Sequence, residues 1–143
     1  MQLTLAAALA IIDVCISKAE EISRPMSVAV CDAGGHVVAT VRMDDCMLLA
    51  GETVTAKARA AVYFRRPTSE TVERSRHHST VYGSFIEVST APIVLSMGGI
   101  PLYGAGGEMV GAVAAAGGSG EEDVVVASAG EKVWLEWLGS SKR

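Results

Sequence analysis

The sequence predicts a mixed α/β fold of the α+β kind, in which helices pack on a central antiparallel sheet. Three observations predict it. Two segments, "CDAGGHVVATV" (31–41) and "YGAGGEMVGAV" (103–113), repeat an Ala-Gly-Gly turn followed by strand-forming residues, and a hairpin implies antiparallel pairing. Ala-rich stretches with apolar residues at helical spacing lie between and around them. Finally, 50% of the residues are hydrophobic but only 5% are aromatic. The apolar mass is therefore small and aliphatic, which suits helices lying close on a sheet.

Each element has a local reason. Thr4 is a candidate N-cap, and Leu5, Leu9, Ile12, Ile16, Ala19 and Ile22 follow at helical spacing until Pro25. Glu20 and Arg24 form an i,i+4 pair on the polar face. "MSVAVCD" (26–32) alternates and is β-branched, "DAGG" has turn chemistry, and "HVVATVRM" (36–43) is the return strand. "DDCMLLAGE" reads as a connection to the Ala-rich helix 53–66, which Pro67 stops. Thr68 or Ser69 opens a second helix to about Ser79, and 83–91 look irregular. "PIVLSMGGIPLY" (92–103) is apolar strand material interrupted by Gly98-Gly99 and Pro101. "MVGAVAAAG" returns after the second turn, and its small residues imply that something packs very close to that backbone. Ser119 and Glu122 have capping-box spacing at the start of the last helix. The predicted order is α-β-β-α-α-β-β-β-α, in one domain over 1–143. The 72-residue echo covers only hairpin positions, so it is not a solenoid repeat.

The totals exclude several classes. A net charge of -4 argues against a nucleic-acid binder. Cys15, Cys31 and Cys46 form no CxxC pattern and suit a reduced compartment. "LTLAAALAII" has no preceding Lys or Arg and is too short to span a bilayer, so the chain reads as cytoplasmic and not membrane-bound. Only 20% of residues are charged, below the usual quarter, which points to a homo-oligomer.

Four constellations could carry chemistry. Between positions 57 and 78, six bases (Lys57, Arg59, Arg65, Arg66, Arg74, Arg76) face two acids (Glu70, Glu73), leaving +4. That charge reads either as a solvated surface, with Glu70–Arg74 and Glu73–His77 pairs, or as a site for an anionic small molecule. His77 and His78 are adjacent, so one helix cannot aim both at one metal; either could be an axial haem ligand, or both could be surface residues. His36 opens a strand beside a turn. "RMDDC" (42–46) places Arg42, Asp44, Asp45 and Cys46 together without metal-ligand spacing. The glycines of "SMGGIP" (Gly98, Gly99) and "AAAGGSGEED" (Gly117, Gly118) lack the P-loop pattern and instead allow the close backbone approach that a flat ligand or a partner subunit needs.

The runs "SVAVCDAGGHVVATVRMDD", "AKARAAVYFRRP", "GGIPLY" and "GEMVGAVAAAGGSGEED", in that order over about residues 3–138, resemble the GlcG/HbpS-like haem-binding family, which includes the C-terminal domain of PduO-type proteins. The resemblance implies a profilin-like fold with a central five-stranded antiparallel sheet and helices on both sides. It also implies dimers or larger even assemblies, up to octamers, and a planar or small anionic ligand, with haem or a related tetrapyrrole as the cofactor and no other cofactor. On that reading Lys57, Arg59 or Arg42 neutralises the ligand's carboxylates, and His77 or His78 is the axial ligand. The family's "MDG" is Met43-Asp44-Asp45 here, and its "SGG" is Ala116-Gly117-Gly118. The alternative is a cofactor-independent enzyme (an isomerase, lyase or cyclase) acting on a small acidic metabolite. In that case Asp44 would be the general base, and Arg42 or Lys57 its electrostatic partner.

Overall fold

The computed structural model describes residues 2–141. The elements run α1 (Leu5–Glu21), β1 (Ser27–Asp32), β2 (Val37–Arg42), α2 (Leu48–Phe64), α3 (Thr68–His77), α4 (Ser79–Val88), β3 (Gly99–Tyr103), β4 (Met109–Ala116) and α5 (Gly120–Ser140). All strand pairs are antiparallel in one sheet of order β2-β1-β4-β3. The sheet has four strands, not the five expected. Residues 92–98 form no strand, and 83–91, expected to be irregular, mostly belong to α4.

The missing strand has a physical cause. Ladder pairing between β3 and β4 begins at Gly99↔Ala114. One step beyond, the Ala115 N–H still donates to the Gly98 carbonyl at 3.0 Å. The Ala115 carbonyl, however, accepts from Lys57 Nζ at 2.7 Å. Gly98 has φ +110, a conformation that turns the chain out of the sheet. Upstream, Pro92 has no N–H to give a ladder, and its carbonyl accepts from Arg59 at 2.6 Å.

The sheet's period of two sorts its side chains onto two faces. Val28 and Val30 of β1, Val113 and Ala115 of β4, and Ile100 and Leu102 of β3 meet Ala8, Ile11, Ile12 and Cys15 of α1, together with Val126, Ala127 and Trp134 of α5. Ala29, Cys31, Ala112, Ala114 and Ala116 face Ala50, Val54, Ala58 and Ala61 of α2. The close partner of the β4 alanines is therefore the chain's own α2, whereas Gly111 lies against the Cys31 backbone of β1 and Leu3. Helices lie on both sides, as expected. Among the described residues, no helix is long and apolar enough to cross a membrane.

The local chemistry behaves as read at both ends of the chain. Thr4 accepts from the Ala7 N–H at 3.1 Å, and Ser119 and Glu122 close a capping box on α5. In the first hairpin Asp32 Oδ1 accepts from the Gly34 and His36 N–H groups, and Gly35 has φ +81. Gly107 takes the matching position in the second hairpin with φ +83. Arg24 pairs with Glu122, 3.3 Å away on α5, rather than with Glu20.

Candidate functional site

The residues singled out in the sequence do not share one place. Lys57 lies on the sheet-facing side of α2 and is 2% exposed. Its ammonium donates to the Ala115 carbonyl at 2.7 Å and to Asp123 Oδ2 at 2.9 Å. Asp123 sits in the first turn of α5 and is 4% exposed; its Oδ1 accepts from the Gly118 N–H at 2.9 Å. The pair thus joins the two helix layers past the end of the sheet. Burial pushes the Lys57 ammonium below its ordinary value, and the Asp123 charge opposes that shift. Burial raises the Asp123 carboxyl, and Lys57 opposes that. Both groups are therefore moved toward the uncharged pair.

A cleft of about 200 Å³ opens beside this pair, lined by Lys57, Asp123, Thr53, Ser96, Gly117 and Gly118 among others. Of the glycine pairs singled out in the sequence, Gly117 and Gly118 line this cleft, and Gly98 and Gly99 do not. A Cβ on Gly98 would stand 2.6 Å from Asp123 Cβ and 2.9 Å from the Ala115 oxygen, and one on Gly99 would stand 2.8 Å from Thr68 Cγ2. Gly117, at φ +126, passes close to the Pro25 carbonyl and Cys46 Sγ. The smallness of Gly98 lets α5 approach the Ala115 carbonyl, and that of Gly99 lets Thr68 of α3 approach the Lys57 backbone carbonyl.

Arg59 is not at this cleft. It donates to the Gly35 and Pro92 carbonyls, tying the first hairpin to the chain after α4. Arg42 lines a separate, open hollow of about 460 Å³ with Thr40, Leu48, Gly51 and Glu52. α2 begins at Leu48, so "LLAGE" is its first turn and not a connection. Asp44 and Asp45 occupy the exposed turn between β2 and α2. Asp45 has φ +63, so the acid at the glycine position of "MDG" keeps a left-handed backbone, which Asp tolerates better than most residues. No hydrogen bond or ion pair of Asp44 occurs among the described residues. His77 and His78 are exposed. His77 stands 3.5 Å from Glu73, which also pairs with Arg76 at 2.8 Å, and His78 is the break between α3 and α4. His36 is exposed at the first hairpin. The cysteines are all buried and free, and burial pushes the Cys15 and Cys31 thiols up to about 12.

The sequence reading missed two features. Asp123 is the partner of Lys57, and the capping spacing that located the helix start does not single it out from Glu121 and Glu122. The second is α4, which buries none of its residues. Its Tyr82 and Phe85 form an aromatic cluster with Phe64, with ring centroids 5.5–6.1 Å apart.

A four-stranded antiparallel sheet between α2 and the α1/α5 pair, with a small polar cleft at one sheet end, defines a protein of the α+β class. Comparison with known proteins gives the family. Residues 3–132 match the family described as "Haem degrading protein HbpS-like", and the chain belongs to it. It is 32% identical over 125 residues to a 15.0 kDa protein of the dhaT-dhaS intergenic region of Citrobacter freundii, covering 87% of each chain. A Streptomyces reticuli HbpS double mutant superposes with a TM-score of 0.83 at 30% identity, covering 93% of this chain and 87% of that one. A structure described as a PduOC–haem complex superposes with a TM-score of 0.84 at 25% identity, covering 93% and 95%. The enzyme alternative built on Asp44 finds no support among these relatives.

Proposed function

We propose that this chain binds haem or a related planar tetrapyrrole. The observation that carries the reading is its likeness to the PduOC–haem complex over nearly the whole chain. The residues of the α3–α4 side fit such a group. Val81, Phe85 and Val88 recur at helical spacing on α4 and are 48%, 48% and 80% exposed, an uncovered apolar stripe next to the Phe64–Tyr82–Phe85 rings. His78 at the N-cap of α4 would supply an imidazole to hold the haem iron. Arg65 and Arg66, which follow Phe64, supply guanidinium groups for carboxylates. Lys57 and Arg59 are engaged inside the fold and leave that role to these arginines; Arg42 belongs to the other hollow. The Lys57 cleft, at about 200 Å³, is below the usual range for a drug-sized ligand, about 300–1,000 Å³. When bound, haem supplies the iron chemistry, and the chain supplies orientation and charge.

An absorbance titration with haemin tests this. A Soret shift is expected for the unaltered chain. His78→Ala should weaken it about tenfold or more, whereas His77→Ala, whose imidazole is held by Glu73, should leave it nearly unchanged. Absence of any Soret shift at micromolar haemin would remove the reading.

The proposed partners of the chain are copies of itself, in a dimer to octamer. Support comes from a second exposed apolar group, Met47, Leu48 and Leu49 at the start of α2.

A further inference from the structure

The Lys57–Asp123 pair carries more chemistry than joining two helix layers needs. Well-packed hydrophobic residues of similar size would serve as well, since a buried ion pair adds little net stability. The pair, though almost fully buried, lies at the wall of a cleft. An ammonium has three N–H donors. Two of those on Lys57 reach Ala115 and Asp123, and among the described residues the third has no acceptor. The pair is neutral as a unit, so the cleft selects no strong net charge. It offers an amine and a carboxyl partner 2.9 Å away, and Thr53 and Ser96 are among the residues lining it. About 200 Å³ accommodates a molecule of a few heavy atoms.

We propose that Lys57 is an amine nucleophile that captures small aldehydes or ketones as an imine in this cleft, with Asp123 as its proton partner. The Asp123 carboxylate takes one proton from the Lys57 ammonium, giving a neutral amine and a neutral acid. The amine lone pair attacks the carbonyl carbon. A C–N bond forms, and the C=O π pair moves to oxygen, which receives a proton from the nitrogen to give a carbinolamine. Asp123 then returns its proton to that hydroxyl. The C–O bond breaks, water leaves, and the nitrogen lone pair closes the C=N bond of a protonated imine. No oxidant or reductant is consumed, and Asp123 ends as the carboxylate it began as. Burial aids the first step by favouring the uncharged forms of both groups, as in other lysines activated by desolvation.

The inference uses none of the residues assigned to haem and stands or falls apart from that reading. The experiment exposes the whole folded chain briefly to propionaldehyde at neutral pH, quenches with borohydride and maps the reduced adduct by peptide mass spectrometry. The expected result is an adduct at Lys57 that exceeds those at Lys18, Lys132 and Lys142 by about tenfold or more, because burial favours its uncharged, nucleophilic form and Asp123 stands beside it as proton partner. A parallel arm uses 1-pyrenecarboxaldehyde, too bulky for the cleft, which should mark the other lysines but spare Lys57. An unmarked Lys57 in the propionaldehyde arm overturns the proposal. Equal marking of Lys57 by both aldehydes also overturns it, because the amine would then be reacting through opening of the fold and not in the cleft.

Discussion

Lys57 is a buried cation whose two bonds tie α2 to β4 and α5. Its type and its place in a basic run were legible in the sequence, and both pointed to a ligand's carboxylates. Its partner was not legible, because Asp123 lies 66 residues away in a first turn that also holds Glu121 and Glu122. Only burial separates the three acids: Asp123 turns inward past the glycines at the sheet end, and Glu122 stays on the surface to cap the helix. Removing the cation alone leaves Asp123 buried without a counter-charge and the Ala115 carbonyl without its donor. Lys57→Met is therefore expected to lose about 3–5 kcal/mol, measured by urea unfolding. Lys57→Met combined with Asp123→Leu should recover most of that loss. An unchanged urea midpoint for the single variant would show that the pair adds nothing to the fold.

At the scale of elements, legibility followed the strength of local signals. α1, the β1–β2 hairpin and the start of α5 were read correctly because Thr4, Asp32 and Ser119 each make a bond with a backbone N–H nearby in sequence. α2 was read five residues short, since Gly51 and the apolar Leu48-Leu49 look like a loop until the helix packs through Ala50 and Val54. The expected fifth strand fails for a tertiary reason: Pro92 and Val94 bond to α2 rather than to a strand, the Pro92 carbonyl accepting from Arg59 and the Val94 N–H donating to the Ala56 carbonyl. The capping box allows a sharper test. Ser119→Ala should cost about 1 kcal/mol, read from the thermal midpoint. Glu122 is held below its ordinary value, first by the Ser119 N–H and then by Arg24. Its folded form therefore binds a proton less readily than its unfolded form. Its stabilising contribution is complete above the ordinary carboxylate value and is lost as pH falls through the lowered one. In Glu122→Gln that part of the acid-side decline should disappear; an unaltered pH–stability curve would remove the assignment.

At the scale of the whole molecule, the exposed apolar groups on α2 and α4 carry the two proposed roles, which can be separated by substituting each. Met47, Leu48 and Leu49 are 59%, 71% and 57% exposed and adjoin the hollow holding Arg42 and Glu52. Such a contiguous patch, with opposite charges at its edge, has the character of an interface between copies. The stripe on α4 lies beside aromatic rings, an imidazole and guanidinium groups, which suits a flat ligand. Because Leu48 and Val88 contribute little to the core, an acid at either position should leave unfolding nearly unchanged, within about 0.5 kcal/mol. Leu48→Asp should then reduce the assembly seen by native mass spectrometry to monomer while leaving the haemin-induced Soret shift intact. Val88→Asp should do the reverse, keeping the assembly and weakening the Soret response. If Leu48→Asp retains its full assembly, the α2 patch is not the contact between copies. If each variant instead disturbs both properties, ligand and partner share one surface, and the division between α2 and α4 fails.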